Sequence, residues 1–229
     1  MLSNSEFLPS EKEFFDFLKI RFATVGVDLD ELMETGIIER SMQVSEKRFS
    51  SLKTKYFLNP KNKKACFSAT HYSGHALILY QIARECFLSG RYELAEKVYF
   101  LNIATTTADL HYEIDLPLRT GCDHPFGTVI GRADFSAESM LFFNQQCTVG
   151  GNFDSHGHLK YPKIDGLLFL HPKSSLVGEN QCSGIVILSN STYVKNLGAV
   201  KDCMIFGESP NLIVKPLTEQ IIANHYLFS

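Results

Sequence analysis

From Ile164 to Phe206 an apolar or near-apolar residue occupies every sixth position: Ile164, Leu170, Leu176, Cys182, Leu188, Val194, Val200 and Phe206. An α-helix repeats every ~3.6 residues and a strand every ~2, so a strict period of six suits neither element alone. It suits a coil of three short strands, each contributing one inward residue, in which every six-residue unit forms one side of a triangular prism. That is a parallel β-helix. The chain is 45% hydrophobic, and eight successive hits exceed what composition alone would produce. The period continues upstream less cleanly, through Ala137, Phe143 and Val149. The step from Val149 to Ile164 is 15 residues, not a multiple of six, so a loop must leave the coil there. That break is where chemistry is expected.

The first 112 residues have a different character and read as a helical domain. Ser10-Glu11-Lys12-Glu13 is a capping box that opens a helix with Phe14, Phe15, Leu18, Ile20 and Phe22 toward one face. A second helix is expected over 29–34. A third is expected over 41–57, ended by Asn59-Pro60 because the residue before proline disfavours the α region. Residues 74–89 carry Ala76, Leu79, Ile82, Ala83, Cys86 and Phe87 at helical spacing, and Gly90 is a natural stop. Residues 91–106 continue as a second arm, giving an antiparallel hairpin that Thr105-Thr106-Thr107 ends. From residue 113 to 229 helix formers thin out, and Val, Ile, Ser, Gly and Asn take over. The fold class expected is α+β, a helical N-terminal domain (1–112) followed by a β-helix domain (113–229). The segment 218–226 is expected as a short helix that covers the far end of the coil.

A net charge of -3 with 21% charged residues excludes a strongly basic nucleic-acid binder. No apolar run reaches the ~18 residues that a membrane span requires. Residues 1–7 (MLSNSEF) lack the basic start and apolar core of a secretory signal, so a cytoplasmic protein is expected. Cys66, Cys86, Cys122, Cys147, Cys182 and Cys203 form no CxxC pair and no disulfide framework, and read as reduced packing residues.

Three motifs carry chemistry: Asp123-His124-Pro125-Phe126-Gly127-Thr128-Val129-Ile130-Gly131, Cys147-Thr148-Val149-Gly150-Gly151, and Tyr161-Pro162-Lys163-Ile164. In this order, on hexapeptide repeats behind a helical domain, the chain resembles serine O-acetyltransferases. His75-Ala76-Leu77, Gly90-Arg91 and Ile114-Asp115 extend the likeness, as does Gly207-Glu208-Ser209-Pro210 near the end. The resemblance implies a left-handed β-helix, acetyl-CoA as co-substrate with no metal, and a homotrimer, with a hexamer as the alternative.

It also implies residue roles. His124 would be the general base that takes the acceptor's hydroxyl proton, work suited to an imidazole near neutral pH. Asp115 would orient it, although it stands nine residues ahead of His124, about one hexapeptide closer than the family spacing. Glu113 is a further candidate, and Asp123 would touch the acceptor. Gly150 and Gly151 would let the thioester and its arm approach the backbone, whose N–H groups could support an oxyanion. Lys163 and Lys195 are the cations chosen to meet the polyanionic carrier.

The departures from the family bear on the acceptor. Tyr161 replaces a histidine, Lys160 the basic residue before it, Arg132 a glutamate, and Asn59 the aspartate that helps hold serine's ammonium. Fewer anionic groups favour a neutral hydroxyl over an ammonium-bearing acceptor. The expectation is therefore a sugar or polysaccharide precursor, with L-serine as the alternative. From another class, His124, His156 and His158 could serve a zinc site of the γ-carbonic-anhydrase type, or the coil could be a non-enzymatic scaffold.

Overall fold

The computed structural model describes residues 5–8, 11–53, 57–59 and 61–225, so the Ser10 cap and Pro60 lie outside the described residues. The chain divides into two compact units, one within residues 1–113 and one within 114–227.

Among its described residues the first unit holds five helices: α1 (Glu11–Ala23), α2 (Leu29–Glu34), α3 (Ile37–Ser50), α4 (Tyr72–Leu88) and α5 (Tyr92–Thr106). Phe14, Leu18 and Phe22 recur every four residues along α1, and all three are fully buried. Each contributes about 1.5–3 kcal/mol of apolar burial. Ile20 is off that stripe and 68% exposed, contrary to the sequence reading. The third helix also differs. It starts at Ile37, because Gly36 takes a left-handed φ of +70° and separates it from α2, and it stops at Ser50 rather than reaching Phe57.

The hairpin α4–α5 turns at Gly90, φ +73°. Its arms run antiparallel: the Asn102 amide, late in α5, donates to the carbonyl of Ala76, early in α4, at 3.0 Å. The helix ends at Thr106, and Thr107 turns left-handed. Two short strands were not expected, β1 (Ser5–Leu8) and β2 (Ala65–Ser68), which pair in parallel. A two-residue strand, β3 (Asp109–Leu110), closes the unit.

The second unit is a parallel β-solenoid of three faces. On one face β4 (Arg119–Cys122), β7 (Met140–Phe143) and the later halves of β11 (Lys163–Leu170), β13 (Asn180–Leu188) and β15 (Gly198–Glu208) stack in register. Cys122, Phe143, Leu170, Leu188 and Ile205 form one column, every member fully buried. On the next face β5 (Val129–Ile130), β8 (Thr148–Gly150), β12 (Ser175–Val177) and β14 (Tyr193–Lys195) place Ile130, Val149, Leu176 and Val194 in a second buried column. The third face stacks β6 (Asp134–Phe135) on the early halves of β11, β13 and β15, through Phe135, Ile164, Cys182 and Val200. One coil is 18 residues here, Ile164 to Cys182 to Val200, which is three units of six.

Two positions depart from the period. Phe206 is half-buried and Ile205 takes its place opposite Leu188, because the register slips by one between Ser183 and Val186. Ala137 is exposed, since Phe135 is the residue that stacks on Ile164. Buried hydroxyls turn the corners: Thr128 donates to Asn144 O at 2.6 Å, Ser139 to Ile164 O at 2.8 Å and Ser174 to His171 O at 2.7 Å. They satisfy carbonyls that the corner would otherwise leave unpaired in the core.

The loop between Val149 and Ile164 does leave the coil, as a hairpin of β9 (Asn152–Phe153) and β10 (Leu159–Lys160). At the far end β16 (Asn211–Pro216) lies antiparallel on β15. This strand, not the helix, covers the last coil edge. The helix α6 (Glu219–His225) forms where expected but buries no residue, and Tyr226 lies outside the described residues.

Candidate active site

The segment Asp123 to Gly127 turns the corner between β4 and β5. Backbone bonds tie it to the coil above: Asp123 N–H donates to Phe143 O at 3.0 Å, and Gln146 N–H to Phe126 O at 2.8 Å. His124 sits in this corner at a left-handed φ of +54°, a region non-glycine residues seldom occupy. Its side chain is 47% exposed, so the corner presents the imidazole outward. The Asp123 carboxylate lies 3.7 Å from His124 Nε2, beyond hydrogen-bond range. Asp115 is exposed, on the segment leading into β4.

Arg132, Lys160, Tyr161 and Lys163 come together. Lys160, Tyr161 and Lys163 line a cavity of about 210 Å³ together with Leu159, Glu179 and Gln181. The Arg132 guanidinium stands 5.1 Å from the Tyr161 ring centre, a cation–π geometry that fixes the ring. Glu179 reaches to 4.0 Å from the Lys160 ammonium. Glu179 and Gln181 escaped the sequence reading. They stand one 18-residue coil after Tyr161 and Lys163, so counting a coil onward would have found them.

The two glycines differ. Nothing lies within 4 Å of where a Cβ on Gly150 would be. At Gly151 the space is filled by the chain's own hairpin: a Cβ would meet Leu159 Cδ1 at 2.6 Å. The exposed Leu159 side chain can swing aside, so the firmer limit on a side chain here is the Lys160 carbonyl oxygen, 3.2 Å from that Cβ. Gly150 and Lys195 share a column, Gly150 beside Val177 and Val177 beside Lys195. Asn59 belongs to the helical unit, where its side-chain oxygen accepts from Lys61 N–H at 2.8 Å and shapes a tight turn.

His156 and His158 are on the exposed hairpin loop, held by Asp154, which accepts from both of their backbone N–H groups at 2.9 Å. Among the described residues no three His, Cys, Asp or Glu side chains gather as a metal would need. No described helix is long and apolar enough to cross a membrane. All six cysteines are free, and only Cys66 is not buried. Burial pushes the Cys86 and Cys182 thiols up to about 12.

No protein-family model and no curated protein sequence matches the chain. Solved structures do. The serine acetyltransferase from Neisseria gonorrhoeae in complex with serine is similar over 87% of this chain and 82% of its own, with a TM-score of 0.60 at 18% identity. The serine acetyltransferase from Brucella abortus strain S19 is similar over 89% and 76%, with a TM-score of 0.61 at 16% identity. A serine acetyltransferase in complex with CoA is similar over 87% and 74%, with a TM-score of 0.56 at 12% identity. The chain has the fold of these proteins. The likeness spans both the helical unit and the solenoid.

Proposed function

We propose that this protein is an acetyl-CoA-dependent O-acetyltransferase whose acceptor is a hydroxyl of a sugar or polysaccharide precursor. The observation that carries the reading is the fold likeness to a CoA-bound serine acetyltransferase across 87% of the chain, with an Asp-His corner and an open glycine in the coil. In this reading the solenoid is left-handed, and the chain works in the cytoplasm as a homotrimer, with a hexamer as the alternative. The helical domain spans 1–112 and the acyltransferase domain 113–229.

His124 takes the proton from the acceptor hydroxyl as its oxygen attacks the thioester carbonyl. The tetrahedral oxyanion is met by backbone N–H groups at Gly150–Gly151. Collapse breaks the carbon–sulfur bond, and the departing thiolate takes the proton back from the imidazolium. Asp115 or Asp123 steadies that cation. The open side of Gly150 leaves room for the pantetheine arm, and Lys163 and Lys195 offer positive charge to the carrier's phosphates.

Tyr161, clamped by Arg132, together with Lys160 and Asp123, faces the acceptor in this scheme. The wall near Arg132 and Tyr161 has two lysines and a phenol beside one carboxylate, Glu179, which faces the Lys160 ammonium; cations outnumber it, which favours a neutral hydroxyl over an ammonium. Serine is the second reading, favoured by the serine-bound neighbour.

The test is CoA thiol release from acetyl-CoA with L-serine beside a panel of sugars and oligosaccharides. Saccharide-dependent release is expected. Release with serine alone would replace the acceptor and keep the reaction. Silence with every acceptor would overturn the reading.

A further inference from the structure

The helical unit contains a cavity of about 340 Å³ that plays no part in the scheme above. Its size falls at the lower end of the range for small-molecule sites, roughly 300–1,000 Å³. Phe17, Leu18, Tyr72 and Leu79 give it an apolar body, and Arg21, His75 and the threonines at 70, 105 and 106 give it polar groups.

Arg21 and His75 differ in character. His75 is buried, and its Nε2 lies 2.9 Å from the carbonyl of Ser68, so that nitrogen carries the hydrogen. Burial holds the ring below its usual pKa of 6.5, so it is neutral at pH 7. Arg21 is exposed, and its guanidinium is 5.1 Å from the Phe17 ring centre, while the same Phe17 packs edge-on against His75 at 4.7 Å. Among the described residues no carboxylate pairs with Arg21. A guanidinium stacked on a ring at a largely apolar cavity, with no carboxylate of the chain's own beside it, has the chemistry to receive one.

We propose that this cavity binds a small amphipathic monocarboxylate, its head on Arg21 and its apolar body between Phe17, Tyr72 and Leu79. A single cation suits one negative charge, and the buried, neutral His75 disfavours a second charge beside it.

The probes are 3-phenylpropanoate and hexanoate, with 3-phenylpropan-1-ol as the uncharged control, titrated calorimetrically into the full chain. Saturable binding of an acid is expected. Arg21→Gln should weaken it about tenfold or more, while leaving the weaker binding of the alcohol unchanged. Arg21 is on the surface, so this variant should fold. Ala69→Leu, which fills the cavity from the half-buried turn before α4, should abolish binding of acid and alcohol alike. Failure of both acids to bind, or affinities for the acids that Arg21→Gln leaves unaltered, would overturn the proposal.

Discussion

Arg132 and Tyr161 are 29 residues apart in sequence, yet the guanidinium carbon of one lies 5.1 Å from the ring centre of the other. The contact holds the phenol against a cavity whose other walls are Lys160, Lys163, Glu179 and Gln181. If the acceptor meets this wall, Arg132→Ala should raise the acceptor KM about tenfold and change kcat much less, since a positioning contact is made equally in ground and transition states. Tyr161→His should raise kcat/KM for L-serine and lower it for the saccharide. Steady-state kinetics with both acceptors check this, and equal changes for the two would detach the wall from acceptor choice.

Gly150 and Gly166 make opposite predictions. Gly150 has open space where a Cβ would stand, so Gly150→Ala should leave stability within about 1 kcal/mol and raise the KM for acetyl-CoA. Gly166 has a φ of +131°, and a Cβ there would lie 2.1 Å from the Gly184 carbonyl oxygen one coil above. Gly166→Ala should cost several kcal/mol, on the order of 3 or more, because backbone rather than a flexible side chain must give way. Urea unfolding of the two variants separates them, and equal stability would contradict the stacked corner.

The cysteines should differ in reactivity. Cys86 and Cys182 are buried with thiols pushed up to about 12, so neither forms thiolate near pH 8. Cys66 is partly exposed on β2. Alkylation of the native protein followed by mass spectrometry should mark Cys66 first. Marking of Cys182 at a comparable rate would mean the solenoid interior is open.

Stability should fall in mild acid. His75 and His171 both have folded pKa values below the ordinary 6.5, each chiefly through burial, with His225 adding to the effect at His171. Between the folded and unfolded values the unfolded chain holds more protons, so stability rises with pH. It is fully present above 6.5 and is lost as pH falls below it, by up to about 1.4 kcal/mol per pH unit for the buried His75 and by less for the half-buried His171, which water screens. Chemical denaturation from pH 8 to pH 5 should follow this slope, and His75→Gln should flatten its share of it. A pH-independent midpoint over that range would contradict the buried, neutral assignment.

The solenoid was legible because its interior demands one apolar residue per side, and where each side has six residues the demand shows directly in the spacing. Leu170, Leu176 and Leu188 are buried where the period puts them. The period fails where a side is not six residues long. The slip after Ser183 hands the inward place from Phe206 to Ile205, and the hairpin of β9 and β10 stretches one coil to 27 residues, Phe143 to Leu170. Upstream coils are irregular too, so Ala137 is read as inward when Phe135 is the residue that stacks. Strand β1 has only four residues and depends on pairing with β2 some sixty residues away, which no local pattern records. At the candidate site the motifs picked out His124, Arg132, Lys160, Tyr161 and Lys163. Glu179 and Gln181 are known only through the stacking register, which becomes visible once the coil length is known. The close packing at Gly151 comes from Leu159 and the Lys160 carbonyl of its own hairpin, and spacing alone does not reveal it.

The central claim is that His124, held outward at φ +54°, is the base for acetyl transfer. The most direct measurement is acceptor-dependent turnover of acetyl-CoA by His124→Ala beside the unaltered protein, with circular dichroism confirming the fold. The account predicts a loss of about 100-fold or more in kcat with a native spectrum. Turnover within a few-fold of the unaltered protein would contradict it.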